Sequence, residues 1–480
     1  MSGPNAPAHL ALPIADRLRA TPAPWEVYAE RSRRYEIHLN GTHVELVRGP
    51  ITLEGYGLRV FRPHGAETSV GYQASTDASE EGVRATLADA EEVARFSQFP
   101  AHEPELPAGR PASSGVRIVD PALWADPSGS LDSYVAALLA ALEGKKGVAP
   151  SFGSVKATLS EVSIANSAGL DCAYAQTSVE TEVAIKAFGG PEGRPPGEYW
   201  VTGLARRLEP DTLPALTRDW SRYAEDARRA KAPPTGEMPV VLPAEVAEGV
   251  VPIVVGFKFS AAALLRDLAF PTGTRVGADG LQLHDDGTLD WAVASTPVDD
   301  EGTPKGSREI VSGGRVSDLL YDVLHARALK ASSTGSALRS SAMDPSVRSG
   351  WGKFRYRPTP RASTIVIPPG TGGTDAELVE QVDEGLWVQQ IGWAQPEPIS
   401  GMFGGEIRIG YRIHHGKIAE PVRGGTVGGI VMGPEGAASL FTGLSAAGSK
   451  AQLLAGLSSP TLLVRSLAVS GESGPATAAP

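Results

Sequence analysis

The chain has a single cysteine, Cys172, among its 480 residues. A lone thiol excludes an intramolecular disulfide framework and any multi-cysteine zinc or iron–sulfur site within the chain. With no histidine nearby in sequence to activate it, Cys172 reads as a small buried hydrophobe. Apolar residues never run unbroken for the roughly 18 positions that span a bilayer, so no membrane partner is expected. The net charge of −11 is spread without a basic cluster, which argues against nucleic acid as a ligand. The first seven residues lack a basic start, and Pro13 breaks the short apolar run behind them, so the reading is cytoplasmic rather than exported.

Common catalytic machineries are missing as well. No Gly-x-Ser-x-Gly elbow occurs, and the stretch Gly443 to Lys450 imitates a phosphate-binding loop with Ser449 and Lys450 in the wrong order. The nine histidines offer no ligand pair on one short element. His414 and His415 are neighbours, and in a strand they would point to opposite faces. No tight zinc site is expected in this chain.

What is present reads as a globular α+β protein long enough for several cores. Tyr35, Ile37 and Leu39 alternate before Asn40-Gly41, and Val44 and Leu46 alternate after it, the pattern of a hairpin. Strands at 58–61 and 70–72 follow, then a helix opened by Asp77 and Glu80 with Val83, Leu87, Ala90 and Ala94 on one face. A Pro, Gly and Glu-rich connection spans 100–111. Beyond it come a helix at 131–142, extended segments at 155–164 and 179–187, and a helix at 213–230. The Pro233-Pro234 linker then cannot continue a helix. After Val240 short apolar runs divided by Gly, Pro and Asp-Gly imply a β-rich, mainly antiparallel domain, with helices only at 260–269 and 316–331. The expected organisation is an N-terminal extension at 1–24, N-terminal and middle α/β regions at 25–110 and 111–232, the β-rich C-terminal domain at 239–470, and a disordered tail at 471–480.

Two segments carry chemistry. Asp299-Asp300-Glu301-Gly302 is the densest acidic feature of the second half, and composition alone reads it as a solvated turn. Phe403-Gly404-Gly405-Glu406-Ile407-Arg408-Ile409-Gly410-Tyr411 either forms a plain hairpin strand or lines a groove with Glu406, Arg408 and Tyr411.

Together these segments resemble the aspartate-rich turn and the glycine-rich C-terminal signature of the TldD/PmbA metallopeptidase family, the second continuing through His415-Gly416-Lys417 to Pro421-Val422-Arg423-Gly424. Echoes at Gly55-Tyr56-Gly57, Asn166-Ser167-Ala168-Gly169 and Ser459-Pro460-Thr461 extend the resemblance from about residue 25 to 471. Catalytic members have a His-Glu-x-x-x-His helix and a later zinc-binding cysteine. The matching helix falls near residues 254–261 and the cysteine near 447–449, and this chain has neither. The resemblance therefore implies a TldE-like, non-catalytic subunit that binds no cofactor itself. Its expected partner is a TldD-like subunit supplying the zinc, in a heterodimeric hydrolase for proteolysis of small or modified peptides. A pair recruited to natural-product biosynthesis, acting on an amide in a small molecule, is the alternative. Gly404, Gly405, Glu406, Arg408 and Tyr411, with Asp299, Asp300 and Glu301, are the residues implied for groove or subunit contact.

Overall fold

The computed structural model describes residues 7–65, 67–99, 104–111, 115–189, 196–341 and 344–471. Residues 1–6, part of the 100–111 connection and the tail from 472 onward lie outside them.

Helix α1 (Leu12–Leu18) precedes two long strands, β1 (Trp25–Asn40) and β2 (His43–His64), which turn at Asn40-Gly41 with Gly41 at φ +60°. The strand expected at 58–61 is the far end of β2, because a bulge between Arg34 and Glu36 absorbs Gly49-Pro50 without ending the pairing. There follow β3 (Glu67–Ser75), α2 (Glu80–Ala94), β4 (Gln98–Phe99), α3 (Pro121–Ala125), α4 (Pro127–Leu142), β5 (Val148–Asn166), β6 (Asp171–Ala187), β7 (Gly197–Ala205) and α5 (Leu213–Arg229). Ser79, and not Asp77, caps α2: its side chain accepts from Gly82 N at 3.1 Å, while Asp77 turns back onto Ser79 N.

The strands form one antiparallel sheet in the order β4-β3-β2-β1-β5-β6-β7. The stretches 25–110 and 111–232 therefore share a sheet, joined where β1 runs against β5 from Glu26↔Asn166 to Asn40↔Phe152. Alternation along β1 decides what each face meets. Val27, Ala29, Ile37 and Leu39 pack beneath α1, α2 and α4, while Glu26, Tyr28, Glu30, Ser32 and Arg34 point the other way, toward the second half of the chain. Two glycines let helices rest directly on strands. A Cβ at Gly71 would stand 1.8 Å from the Ala90 carbonyl oxygen of α2, and one at Gly197 would stand 1.9 Å from the Ala224 oxygen of α5.

The second half opens with β8 (Gly236–Leu242), α6 (Ala244–Glu248), α7 (Val251–Lys258) and α8 (Ala261–Leu264). Short strands follow: β9 (Leu283–Asp286), β10 (Ser307–Ser312) and β11 (Arg315–Val316), then α9 (Val323–Ala328), β12 (Ala337–Arg339), β13 (Pro358–Pro360), β14 (Ile365–Val366) and α10 (Asp375–Glu380). The chain ends with β15 (Glu384–Gly392), β16 (Met402–His414), β17 (Lys417–Val422), β18 (Thr426–Ile430), β19 (Leu444–Ala447), β20 (Gln452–Leu453), β21 (Leu457–Ser459) and β22 (Leu462–Ser470). The helices expected at 260–269 and 316–331 shrink to α8 and α9. Asp267 at φ +57° turns the chain out of the first, and Val316 is drawn into β11 before Asp322 caps the second.

Strand order β15-β8-β22-β18-β16, with β16 pairing back onto β15, closes a five-stranded barrel; β17 extends it from β16 and β19 from β22. A second sheet runs β11-β10-β9-β14-β21-β20. Only β8–β15 and β14–β21 pair in parallel among these ladders. The architecture is α+β with a β-rich, mainly antiparallel C-terminal half. Its core gathers Val240, Val254, Phe259, Ile407 and Phe441 around α7.

The free edge of the first sheet meets the barrel along β7, where one contact takes the place of a strand partner. Gln390 of β15 donates through Nε2 to the Trp200 carbonyl at 2.6 Å and accepts from Trp200 N at 3.4 Å, so a side-chain amide takes one rung of β7.

Candidate functional site

The acidic turn is not solvated. Asp299, Asp300 and Glu301 are at most 1% exposed, on the face of the first sheet that carries the polar residues of β1. Asp299 closes the turn on itself, accepting from Glu301 N at 3.0 Å and Thr303 N at 2.9 Å, and reaches β12 through Ala337 N at 3.0 Å. Asp300 accepts from Arg339 N at 2.6 Å and from Lys353 Nζ at 2.9 Å. Glu301 accepts from Arg59 Nη2 and from Val323 N, the start of α9. Glu26 accepts from both Arg59 and Arg339. The result is a buried ionic seam that ties β1 and β2 to β12 and α9.

Burial pushes the Glu301 carboxyl well above the carboxylate range and Asp299 up to about 7, with hydrogen bonds from Ala337, Glu301 and Thr303 pulling Asp299 back down. Burial acts against the Arg59 charge too, and Glu26 and Glu301 more than offset it. Arg206 fastens the same interface further along, donating to the carbonyls of Thr177, Ala292, Val293 and Ser295 and to Gln176 Oε1. Nothing in its own stretch of sequence distinguishes it.

The glycine-rich segment is β16, and its residues face two clefts. Arg408 lines an opening of about 440 Å³ together with Lys186, Trp200, Gln390, Trp393 and Arg423. Glu406 holds Arg408 at 3.2 Å. Tyr411, odd where Arg408 is even, lines a separate cleft of about 380 Å³ with Arg222, Tyr223, Trp387 and Lys417. Its hydroxyl donates to Asp226 Oδ2 on α5 at 2.7 Å, and burial, then Asp226, raises its pKa. The glycines differ in what they permit. A Cβ at Gly404 would meet nothing within 4 Å and one at Gly405 would sit 3.2 Å from Ile391 Cβ, whereas one at Gly410 would lie 2.7 Å from the Trp387 oxygen. Close backbone approach thus requires Gly410. Glu406, Arg408 and Tyr411 make their bonds apart from the acidic turn.

The residues at the expected metal position do not fit zinc. Helix α7 holds Val254 and Val255 fully buried, and Lys258 donates its ammonium to the Leu268 carbonyl at 3.0 Å. Gly448 and Ser449 stand where a thiolate ligand is expected and bond through their backbone N–H groups to Thr461 and Gly373. A site with no imidazole, thiolate or carboxylate cannot hold the ion. The imitation phosphate loop is likewise absent, since 444–447 is strand β19. Cys172 is half-buried, its thiol pushed up to about 12 by burial, and so is unreactive.

His414 and His415 overturn the expectation of opposite faces. His415 sits at φ +46°, and the two rings lie 4.0 Å apart, tilted by 42°. A positive φ ends the strand's alternation, which the pair alone does not announce.

A two-sided antiparallel sheet packed against a β-rich barrel half, with its acidic turn buried between them, defines the fold seen in solved structures described as TldE of Thermococcus kodakarensis (TM-score 0.74, 17% identity, 97% of this chain and 100% of that one) and as a proposed modulator of a DNA gyrase from Thermotoga maritima (0.77, 18%, 95% and 99%). Family models described as the PmbA/TldA metallopeptidase central domain and C-terminal domain match residues 127–231 and 235–471. The chain belongs to this PmbA/TldD metallopeptidase family. Among curated relatives, a metalloprotease TldD homolog of Haemophilus influenzae is 28% identical over 201 residues, 41% of this chain and 39% of that protein. An uncharacterized protein of Methanocaldococcus jannaschii is 30% identical over 177 residues, 36% and 38%. The aligned stretches thus span well under half of these relatives. No helix among the described residues is long and apolar enough to cross a membrane.

Proposed function

We propose that this chain is the TldE-like, non-metal subunit of a heterodimeric zinc peptidase, and that a TldD-like partner supplies the ion. The observation that carries this reading is α7: at the family's metal position this chain puts packed valines and a lysine. The fold shared with TldE of Thermococcus kodakarensis supports it. In this reading the chain contributes a wall and the cleft along β16, where Arg408, Arg423 and Lys186 offer positive charge beside Trp200 and Trp393 to an extended peptide. Gly404, Gly405 and Glu406 lie next to that cleft on the same strand. Asp299, Asp300 and Glu301 act inside the chain, holding its two halves in register.

The test is metal content by mass spectrometry with molecular mass in parallel, on the chain alone and co-expressed with a relative that has the His-Glu-x-x-x-His motif. A one-to-one complex in which zinc copurifies with the partner is the expected result. Tight zinc on the lone chain that survives substitution of its surface histidines would sink the reading. Glu406→Ala and Arg408→Ala are expected to lower peptide turnover by the pair; unchanged pairing and turnover would remove the cleft from the proposal.

A further inference from the structure

The turn after β16 gathers metal-binding donors that line neither of the two clefts. His414 lies opposite Glu384 in the β15–β16 ladder, and its Nδ1 is bonded to Glu384 Oε1. Arg412 takes the other oxygen, Oε2, at 3.1 Å, which leaves Oε1 turned toward the imidazole. His415, at φ +46°, folds its ring back beside that of His414, and Asp383 Oδ1 holds its Nδ1 at 2.7 Å. One donor atom from each of Glu384, His414 and His415 lies within 4.8 Å of the other two. Among the described residues this is the one such group of three, and all three side chains are exposed.

We propose that Glu384, His414 and His415 form a surface site for a divalent transition cation of the zinc or nickel type. Two imidazoles and a carboxylate suit those ions, whereas magnesium and calcium call for several oxygens. Zinc bonds to such ligands are about 2.0–2.2 Å, so the donors close inward by less than ~1 Å, within reach of exposed side chains free to rotate. Asp383 behind His415 is a carboxylate–imidazole pair of the sort that fixes a ligand's tautomer. Three protein ligands on an open surface leave a coordination position for water or a partner's side chain. The site is distinct from α7, and its exposure sets an affinity on the order of micromolar, far below that of an enclosed structural zinc site.

Isothermal titration of the tag-free, metal-stripped full chain with zinc chloride, and separately with magnesium chloride, tests the site. One zinc per chain, no magnesium, and at least tenfold weaker zinc binding in each of His414→Ala, His415→Ala and Glu384→Gln are expected. No zinc uptake by the unaltered chain up to ~100 µM, or uptake unchanged in all three variants, would overturn it. Protection of the unaltered chain provides a second measure that needs no variant. Zinc should slow diethyl pyrocarbonate modification of His414 and His415, read by peptide mass spectrometry, and equal rates with and without zinc count against the site.

Discussion

Arg59 Nη2 stands 2.7 Å from Glu26 Oε2 and 2.5 Å from Glu301 Oε1, with all three side chains at 2% exposure or less. One guanidinium thus bridges a carboxylate of the first strand and one 242 residues further along the chain from itself. Breaking a buried pair by removing one partner costs about 3–5 kcal/mol, because the charge left behind keeps its desolvation penalty. Glu301→Ala also strips the acceptor from Val323 N. Urea unfolding should show a loss of that size, and a loss below ~1 kcal/mol would mean that Glu26 alone neutralises Arg59.

Acid should protect a different buried group. Burial pushes Asp285 up to about 7 against the pull of Lys305 and of the Ser363 N–H, which it accepts at 2.6 Å. Its folded pKa is therefore raised above the unfolded value of 3.8, so the fold holds a proton that the unfolded chain gives up. The resulting stability is fully present below the unfolded pKa and is lost as pH climbs toward 7. Asp285→Asn removes that dependence. Relative to the unaltered chain the variant should gain stability steadily between pH 4 and pH 7, by on the order of a few kcal/mol, in parallel thermal melts across that range. A difference that does not change with pH would show that Asp285 titrates normally.

Gly197→Ala should loosen α5 from β7. The added methyl would stand 1.9 Å from the Ala224 oxygen, part of a helix backbone that cannot swing aside like a side chain. A cost of about 1–3 kcal/mol is expected from such overpacking, read as a lower urea midpoint, while Gly404→Ala, with open space around it, should cost far less. Equal effects at the two positions would contradict this packing.

Arg206→Lys should be as damaging as many truncations. Four backbone carbonyls and Gln176 converge on the guanidinium, and a lysine's three donors on one nitrogen cannot span them. Each buried carbonyl left unpaired costs about 1–3 kcal/mol, so a total loss above ~2 kcal/mol is expected in denaturant titration.

Local rules were readable where a contact is local. Asn40-Gly41 announced its hairpin, and the helix at 213–229 follows from its apolar spacing and the prolines behind it. The alternation at 179–187 belongs to β6. The family signatures were legible as well, because β16 and the acidic turn keep their residues contiguous. Burial of Asp299, Asp300 and Glu301 was not, since the cations that make it tolerable, Arg59 and Lys353, and the backbone N–H groups of Ala337 and Arg339 lie on segments remote in sequence. The His414–His415 pairing stayed hidden for the opposite reason. It depends on one backbone angle at the strand's end, which an alternation rule carries straight through.

The alternation along β1 also has a bearing on how the chain is made. A ribosome releases β1 and β2 long before Glu301 and Arg339 exist, so the nascent sheet must wait with one face uncovered. That face sets Glu26, Glu30, Ser32, Arg34 and Arg59 among its apolar residues Tyr28, Leu53, Val162 and Ile164. Charges that are costly once enclosed are comfortable in water, and they keep the unfinished sheet from sticking to its neighbours while the second half is synthesised. The first half is thereby a hydrated template, committed to its final place only when the acidic turn arrives to displace the water.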